Sequence, residues 1–327
     1  MKQILNNWGL SNVKSKKIDV GLMNQNWLVT EGKNKYILRK VVAANERNVR
    51  FELKYLTTLK RGGLRYSIPV PMKTVKGDYL VKEKGSLFWM YEYIDGTHVY
   101  NFDFIKLREI SKMLAEYHNI LIKNKKFFML KSNRNDPYQP SKVGVLVKRT
   151  LTELNKKRNH NTNESTFIRY ARMVLPIADY IAKHKERKLE YYYLYNDISK
   201  TNLIWKNGKL NGLIDFDFVH YGNLLIKDLA IVIQRLCHYN SKKYVLDLSK
   251  VRVVIETYSK IRKLTLEEKD MLIDMILTSC IGDFDFLFHI IQGSSERKIT
   301  MQEVCNWARM AEYVFENRQK IRETINT

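Results

Sequence analysis

The chain has 327 residues, which is too many for one small core and matches one large or two ordinary domains. Its 45% hydrophobic and 12% aromatic residues exclude a disordered chain, and 14 Gly and 5 Pro exclude collagen-like and proline-rich low-complexity classes. The 57 Lys and Arg residues outnumber the 34 Asp and Glu residues, so the formal charge of +23 fits anionic partners or, alternatively, a codon bias toward Lys and Asn.

The first elements in chain order are predicted to be the two strands of a hairpin. Two apolar-rich runs, Asp19–Val29 and Tyr36–Val41, supply the strands. The turn sequence Glu31–Asn34 joins them and contains a glycine, which is typical of a short hairpin connection.

A helix and a second hairpin follow the first. A helix that ends at Gly62 is predicted from apolar residues at helical spacing, namely Val49, Leu53, Leu56 and Leu59. Pro69 and Pro71 require an extended segment, because each disfavours helix in the residue before it. The runs Tyr79–Lys82 and Leu87–Tyr93 predict two more strands. The first third is therefore expected to be a small antiparallel sheet that carries one helix.

Helices dominate the prediction from residue 96 onward. A strong apolar stripe predicts a long helix and consists of Phe104, Leu107, Ile110, Leu114, Tyr117 and Leu121. Residues 122–165 are rich in Lys and Asn and are interpreted as surface helix and loop, with 155–161 a solvated loop rather than a nucleic-acid site. Thr300 and Glu303 have capping-box spacing before a last helix. We predict an α+β chain with domains at 1–95 and 96–327.

Cysteine usage and hydropathy indicate the cellular compartment in which the protein is expected to reside. The three cysteines, Cys237, Cys280 and Cys305, are few and widely separated, which fits neither a disulfide framework nor a zinc site. The N-terminus lacks the apolar core of a signal peptide, and charged residues interrupt the most apolar window, Met271–Ile291. These observations predict a soluble, cytoplasmic protein with no membrane partner.

The dipeptide Asn207-Gly208 between two apolar-rich runs predicts a hairpin with a type I′ turn. A two-residue loop pairs Lys206 with Lys209 and, in a regular ladder, Asn202 with Leu213. This register is the basis for predicting which polar side chains lie together at the far end of the hairpin.

Oxygen-bearing side chains gather at that end of the predicted hairpin. Asp215 lies on the face of Asn202 because side chains alternate along a strand, and Asp217 shares that face if the strand continues. Asp197 lies in the turn leading into the same end. Asp and Asn oxygens hold Mg²⁺ in phosphoryl transfer, and an Asp followed five residues later by Asn and then by a second Asp is a kinase pattern. The alternative is that Asp197 and Asn202 are ordinary turn residues.

These motifs resemble the aminoglycoside phosphotransferase and choline kinase superfamily, with the spore-coat kinase-like and homoserine-kinase-like branches closest in appearance. The segments that carry the resemblance are Tyr195–Asp197, Asn202, Ile214–Asp217 and Lys227–Ala230. The resemblance implies a bilobal protein-kinase-like fold, ATP and Mg²⁺ as cofactors, and transfer of the γ-phosphate to a hydroxyl of a small molecule.

The same resemblance assigns roles within these segments. Asp197 is expected to be the catalytic base, and Asn202 and Asp215 are expected to bind Mg²⁺, with Asp217 as a further metal ligand. Asp228 is expected to steady the catalytic loop, defined here as residues 195–202.

The resemblance also assigns nucleotide-binding residues in the first third. The segment Gly21–Asn26 stands where the family has its phosphate-covering loop, and Gly21 is its glycine. Arg39 stands where many members carry a phosphate-binding Lys. Glu52 is expected to pair with Arg39, although Glu46 competes for that role. The hinge is expected to present backbone groups to adenine, and its three residues are Glu92, Tyr93 and Ile94.

Two departures from the family pattern keep a second hypothesis open. Tyr195 replaces the usual His and Asn196 replaces Gly, so a kinase-fold pseudokinase acting as a binding or structural protein is the alternative to an active kinase. A third hypothesis, nucleic-acid binding, rests on the charge alone and lacks a supporting motif. For the acceptor, a candidate pocket for a cationic amine consists of residues 283–286, Trp307 and Tyr313. Helix packing explains these aromatic residues equally well. An anionic acceptor is a further alternative, because the chain is strongly positive.

Overall fold

The structure is a computed structural model, and it describes residues 1–18, 24–42, 44–128, 140–183, 190–282 and 301–327. The chain divides into two compact units. The first unit comprises Met1–Val99, Tyr117–Arg134 and Lys200–Val219. The second unit comprises Tyr100–Glu116, Asn135–Ser199 and His220–Thr327.

The described residues form strands and helices in the predicted α+β class. The strands are β1 Lys14–Ile18, β2 Asn24–Glu31, β3 Asn34–Val41, β4 Val81–Glu83, β5 Ser86–Glu92, β6 Tyr192–Leu194, β7 Leu203–Lys206, β8 Lys209–Leu213 and β9 His220–Asn223. The helices are α1 Lys2–Leu5, α2 Glu46–Arg61, α3 Phe104–Lys123, α4 Lys125–Phe128, α5 Pro140–Asn155, α6 Thr162–Lys183, α7 Ile226–Leu236, α8 Leu248–Ser259, α9 Leu266–Ile281, α10 Met301–Glu316 and α11 Arg318–Asn326.

The main feature of the first unit is an antiparallel sheet with the strand order β1-β2-β3-β5-β4 among the described residues. Both predicted hairpins are present in it. The first turns between Glu31 and Asn34, where Gly32 has φ +57°, and the second turns at Lys84-Gly85, where both residues have positive φ. Strand β1 was not predicted: its lysines leave little apolar pattern, and it forms the outer edge of the sheet with four of its five residues exposed.

One face of this sheet packs against the N-terminal residues of the chain. Helix α1 and the 3-10 turn Asn6–Trp8 bring Leu5, Trp8 and Leu10 against sheet residues that share one face, namely Val29, Leu38, Phe88 and Met90. The indole N–H of Trp8 donates to the Met72 carbonyl at 3.1 Å. The N-terminal segment is therefore part of the core of the first unit.

We expect Trp8→Ala to lower the free energy of unfolding by about 3–4 kcal/mol, because it removes a large buried side chain and leaves the Met72 carbonyl without its donor. Urea denaturation measures the change. The exposed Lys2→Ala is the matched control and should stay within about 0.5 kcal/mol of the unmodified protein. A loss below about 1 kcal/mol for Trp8→Ala would show that this segment contributes little to the core.

Helix α2 follows the sheet hairpin and matches the predicted helix. The Asn45 side chain accepts from the Asn48 N–H and caps its N-terminus, and Gly62 is its C-cap as predicted. The helix buries its apolar stripe, consisting of Val49, Leu53, Tyr55, Leu56 and Leu59. Glu52 is buried among these residues, which brings one carboxylate into an otherwise apolar face.

The second unit is mainly helical. Helix α10 corresponds to the predicted last helix, but α11 follows it, and the predicted cap Thr300 lies outside the described residues. The segment 155–161 is exposed, as predicted, and Asn161 with Glu164 forms a reciprocal cap at the start of α6. The three cysteines are free and buried. Within the described ranges, none of the helices has the length and hydropathy that crossing a bilayer requires.

Candidate active site

The hairpin of β7 and β8 forms the predicted type I′ turn. Asn207 and Gly208 have φ of +52° and +74°, and Lys206 pairs with Lys209. Positive φ at both central residues matches the right-handed twist of the flanking strands, which is why Asn-Gly is favoured there.

The predicted register is wrong at the far end of this hairpin. A β-bulge shifts the ladder between Ile204 and Trp205, so that Leu203 rather than Asn202 pairs with Leu213. Asn202 instead stands opposite Ile214, whose N–H donates to the Asn202 carbonyl at 2.9 Å. The extra residue breaks the simple alternation on which the shared-face prediction depended.

A third segment explains the bulge. Ser67 pairs with β8 from its other side: the Ser67 N–H donates to the Asn211 carbonyl and the Leu213 N–H donates to the Ser67 carbonyl, both at 2.9 Å. The Asn211 side chain donates to the Asp95 carbonyl at 2.8 Å. At Gly212 a Cβ would lie 2.7 Å from the Ser67 carbonyl oxygen, so this close approach requires glycine. The ladder between β7 and β8 is interrupted at Asn211, which is the extra residue of the bulge.

Strand β8 ends at Leu213, and the next residues turn rather than continue the strand. Asp215 has φ +63°, a left-handed conformation that is uncommon for a non-glycine residue. The strand does not continue, so the condition under which Asp215 and Asp217 would share one strand face is not met, but the turn still directs both carboxylates to the same partner, Arg39.

Arg39 lies at the centre of three carboxylates within the first unit. Its Nη2 is 2.7 Å from Asp217 Oδ2 and 3.5 Å from Asp215 Oδ1, and its Nη1 is 3.8 Å from Glu52 Oε1. Its guanidinium also lies 5.8 Å from the centroid of the Trp89 ring. We call Arg39, Glu52, Asp215 and Asp217 the Arg39 cluster.

The structure distinguishes the two candidate glutamates. Glu52 is buried and pairs with Arg39, whereas Glu46 is more exposed and pairs with Arg50 at 3.0 Å and Lys82 at 3.8 Å. The predicted pairing of Glu52 with Arg39 is present, although it is the longest of the three ion pairs that Arg39 forms.

The Arg39 cluster carries a surplus of negative charge, because three carboxylates face one guanidinium. Burial by itself would lower the pKa of Arg39, but Asp217, Glu52 and Asp215 hold that pKa above its ordinary value and keep the guanidinium charged. On the same face, burial raises the pKa of the Tyr91 phenol to about 12, which Arg39 opposes and Asp215 reinforces. A buried site with this charge balance suits a cation.

Asn202 and Asp215 fit the donor set that Mg²⁺ takes in proteins. Asn202 is buried, and its carbonyl accepts the N–H of Ile214, the residue that precedes Asp215. Asp215 Oδ1 is a buried atom that accepts no hydrogen bond from any described residue. Within the described part of the chain, no three His, Cys, Asp or Glu side chains gather into a complete metal site. Mg²⁺ sites commonly use one or two carboxylates and complete their shell with water and phosphate oxygens.

The predicted hinge continues from β5. Glu92 pairs with Tyr36 in the sheet, and the Tyr93 N–H donates to the Lys35 carbonyl at 2.9 Å. The Tyr93 amide is therefore already used within the sheet. Among the described residues, the Ile94 N–H has no backbone acceptor. The hinge thus retains a backbone donor at Ile94.

The hinge leaves β5 by a tight crossing at Gly96. Gly96 has φ +144°, and a Cβ there would lie 2.5 Å from the Trp205 carbonyl oxygen. Thr97 exchanges two backbone hydrogen bonds with Trp205, each 2.8 Å long. The exit from the hinge is consequently fixed to β7.

We expect Gly96→Ala to destabilise the protein by about 3 kcal/mol, because it adds a collision with backbone to an unfavourable φ. Gly32→Ala is the matched control: its φ is also positive, but a Cβ there meets nothing within 4 Å. It should cost only about 1–2 kcal/mol. Thermal unfolding of both variants measures the difference, and equal losses would contradict the close approach.

In the second unit, Asp228 on α7 holds the start of the catalytic loop. Its Oδ1 accepts from the Asn196 N–H at 2.8 Å and its Oδ2 accepts from the Tyr195 N–H at 3.3 Å. Tyr195 is fully buried, and Asn196 has φ +61°, a conformation that the usual family glycine adopts without strain. Tyr195 and Asn196 are thus built into a loop whose backbone is fixed.

Asp197 follows directly and forms an ion pair. Arg235 Nη1 donates to Asp197 Oδ1 at 2.5 Å, and both side chains are about one quarter exposed. Arg235 lies seven residues after Asp228 on α7, which is two helical turns, so one face of α7 holds both the loop backbone and the Asp197 carboxylate.

Sequence reasoning missed two residues that contact the predicted site. Arg235 was detectable from its two-turn spacing to Asp228 on an amphipathic helix. Asn24 Nδ2 donates to Asp217 Oδ2 at 2.6 Å, and no local pattern indicates that contact because 193 positions separate the two residues. Gly21 and the acidic segment 283–286 of the proposed acceptor pocket lie outside the described residues.

A profile of the Phosphotransferase enzyme family (APH) matches residues 14–262, about three quarters of the chain. The chain belongs to this family. This phosphotransferase is 26% identical over 258 residues to a homoserine kinase of Chelativorans sp. (strain BNC1), covering 79% of this chain and 74% of that protein.

Two solved structures show the fold of this phosphotransferase. One is a spectinomycin phosphotransferase in complex with ADP and spectinomycin, at TM-score 0.75 and 14% identity over 97% of both chains. The other is a microcompartment-associated aminopropanol kinase, at TM-score 0.65 and 15% identity over 98% of this chain and 97% of that chain. The predicted superfamily, the kinase-like fold and the enzyme class of small-molecule kinase are confirmed at this level.

Proposed function

We propose that this phosphotransferase is an ATP- and Mg²⁺-dependent kinase that transfers the γ-phosphoryl group to a hydroxyl of a small molecule. The observation that carries the proposal is the Arg39 cluster, in which a buried guanidinium meets carboxylates from a strand-flanking helix and from the segment after β8. Phosphoryl transfer relies on positioning and charge neutralisation, and this cluster supplies both kinds of charge.

For nucleotide binding, Arg39 is the proposed phosphate-binding cation and Glu52 restricts its side chain. The buried Arg39 Nε makes no hydrogen bond with the described residues, so it retains a donor for a phosphate oxygen. Glu92, Tyr93 and Ile94 are proposed to meet adenine, with Ile94 as donor since the Tyr93 amide is used in the sheet. Gly21 is proposed to belong to the loop that covers the phosphates.

Asn202 and Asp215 are proposed to hold Mg²⁺, which when bound neutralises charge on the transferred phosphoryl group. Their support is the open Asp215 oxygen and the surplus negative charge of the Arg39 cluster.

Asp197 is proposed as the base that orients the acceptor hydroxyl and accepts its proton. Its support is the five-residue spacing to Asn202 and its partial exposure, with one oxygen bound to Arg235. Asp228 fixes the backbone that precedes Asp197, so the carboxylate is held without a large entropy cost.

The acceptor is proposed to be a small alcohol, and the relatives named above suggest a first panel of homoserine, aminopropanol and spectinomycin. We expect ATP binding that requires Mg²⁺ in calorimetry, and release of ADP that rises when the right acceptor is added. Absence of Mg²⁺-dependent ATP binding would overturn the proposal and favour the pseudokinase alternative, in which the same fold serves as a scaffold.

A further inference from the structure

The two aspartates beside Arg39 use their oxygens differently. Asp217 Oδ2 accepts two hydrogen bonds, one from Arg39 Nη2 at 2.7 Å and one from Asn24 Nδ2 at 2.6 Å. A carboxylate oxygen has two lone pairs, so these two donors occupy the acceptor capacity of Oδ2. The Asp217 side chain is also only 15% exposed.

Asp215 shows the opposite situation. Its side chain is 39% exposed, and its Oδ1 accepts no hydrogen bond from any described residue although Arg39 Nη2 lies 3.5 Å away. A cation that approaches the Arg39 cluster therefore meets available acceptor capacity on Asp215, whereas Asp217 Oδ2 is already committed to two donors.

Asn24 connects Asp217 to two strands of the sheet. Its Oδ1 accepts from the Val42 N–H at 3.1 Å while its Nδ2 donates to Asp217. Asn24 is the first residue of β2 and pairs with Val41 at the end of β3, the strand that carries Arg39. Both donors to Asp217 Oδ2 thus come from the same strand pair, and the carboxylate fixes the guanidinium relative to that pair.

We propose that Asp217 and Asn24 are positioning residues: Asp217 anchors Arg39, Asn24 anchors Asp217, and Mg²⁺ is left to Asp215 and Asn202. This inference rests on the proposed function and replaces the sequence-based prediction that Asp217 binds the metal. It also gives a reason for Arg at position 39. A guanidinium holds Asp217 through Nη2 and keeps Nε for phosphate, whereas a lysine ammonium lacks that fixed fork.

The test measures two quantities by calorimetry on the full chain: the ATP affinity at saturating Mg²⁺ and the Mg²⁺ concentration that gives half-maximal ATP binding. We expect Asp217→Asn to weaken ATP binding about tenfold, because the amide oxygen can still accept from Arg39 but lacks the charge that strengthens this hydrogen bond, while the half-maximal Mg²⁺ concentration stays within about twofold. Asp215→Asn should raise that Mg²⁺ concentration by more than about tenfold.

Asn24→Ala provides a second, milder variant and should weaken ATP binding about threefold with an unchanged Mg²⁺ requirement. Because Asn24 acts through Asp217, the double variant should lose less affinity than the product of the single losses. Gln25→Ala is the matched control, since this exposed neighbour points to the other face of β2 and should leave both quantities unchanged.

Two results would overturn the inference while leaving the proposed function intact. One is a rise in the half-maximal Mg²⁺ concentration for Asp217→Asn as large as that for Asp215→Asn. The other is a fully multiplicative loss for the Asn24 and Asp217 variants. If Asp217→Asn does not fold, as thermal unfolding would reveal, an increased Mg²⁺ requirement in Asn24→Ala overturns the inference. An unmodified protein that binds no ATP with Mg²⁺ overturns the inference and the proposed function together.

Discussion

We expect Asp215→Ala to abolish the Mg²⁺ dependence of ATP binding and to weaken binding at saturating Mg²⁺ by more than about 100-fold. Asp215 is the partly exposed carboxylate of the Arg39 cluster, and its Oδ1 accepts no hydrogen bond from a described residue. Its removal deletes a charged ligand that no neighbouring group replaces, since Asp217 Oδ2 already accepts two hydrogen bonds.

ATP binding by Asp215→Ala in the absence of Mg²⁺ distinguishes a metal role from general damage to the fold. The Arg39 cluster has three carboxylates against one guanidinium, so ATP phosphates are repelled in the absence of the cation. Removing Asp215 lowers that repulsion, and the variant should bind ATP without Mg²⁺ at least as well as the unmodified protein. A variant that loses binding equally in both conditions would contradict a metal role and indicate a damaged fold.

Asp78→Ala is the matched control for Asp215→Ala. Asp78 is another aspartate of the first unit that pairs with an arginine, Arg50, at 3.1 Å, and its removal changes the net charge by the same amount. We expect its nucleotide binding and Mg²⁺ requirement to match the unmodified protein. Calorimetric titrations of both variants, with and without Mg²⁺, check the pair.

The second large effect is expected for Asp197→Asn, which should lower kcat by about 10²–10⁴ while ATP affinity changes by less than about threefold. The amide retains an oxygen for Arg235 Nη1 but can no longer take up a proton. The measurement is single-turnover phosphorylation of the acceptor combined with calorimetric ATP binding. A comparable loss of ATP affinity would place Asp197 in nucleotide binding instead.

Arg235 is expected to act through Asp197. Arg235→Gln should lower kcat about tenfold, since the Asp197 carboxylate loses its ion pair with Arg235 and with it a fixed orientation. In the double variant, Arg235→Gln should add little to the loss in kcat caused by Asp197→Asn, because the carboxylate charge that pairs with Arg235 is already absent. Additive losses in the double variant would show that Arg235 has a separate role.

Much of the fold was predictable because its signals are local. The hairpin at Asn207-Gly208 requires positive φ at two consecutive residues, and the Asn-Gly dipeptide specifies that turn by itself. The register beyond it was not predictable. The bulge lies at Asn211, where Ser67, more than 130 positions earlier in the chain, pairs with the other edge of β8.

The candidate site shows the same division between local and distant information. The spacing of Asp197, Asn202 and Asp215 indicated the loop, and the family resemblance supplied the pairing of Glu52 with Arg39. The stronger partner of Arg39 is Asp217, and that contact arises because a left-handed Asp215 redirects the chain after β8. A left-handed aspartate is a product of the tertiary environment, so strand alternation could not reveal it.

The lysines of β1 have a consequence for the free protein in solution. An edge strand offers unpaired N–H and C=O groups to any other exposed strand, and β1 presents Lys14, Lys16 and Lys17 along that border. When the β1 edges of two copies approach each other, rows of lysine ammonium groups come together, and their repulsion opposes the growth of intermolecular sheets. Part of the charge of +23 can therefore be understood as protection against aggregation, independent of any anionic ligand.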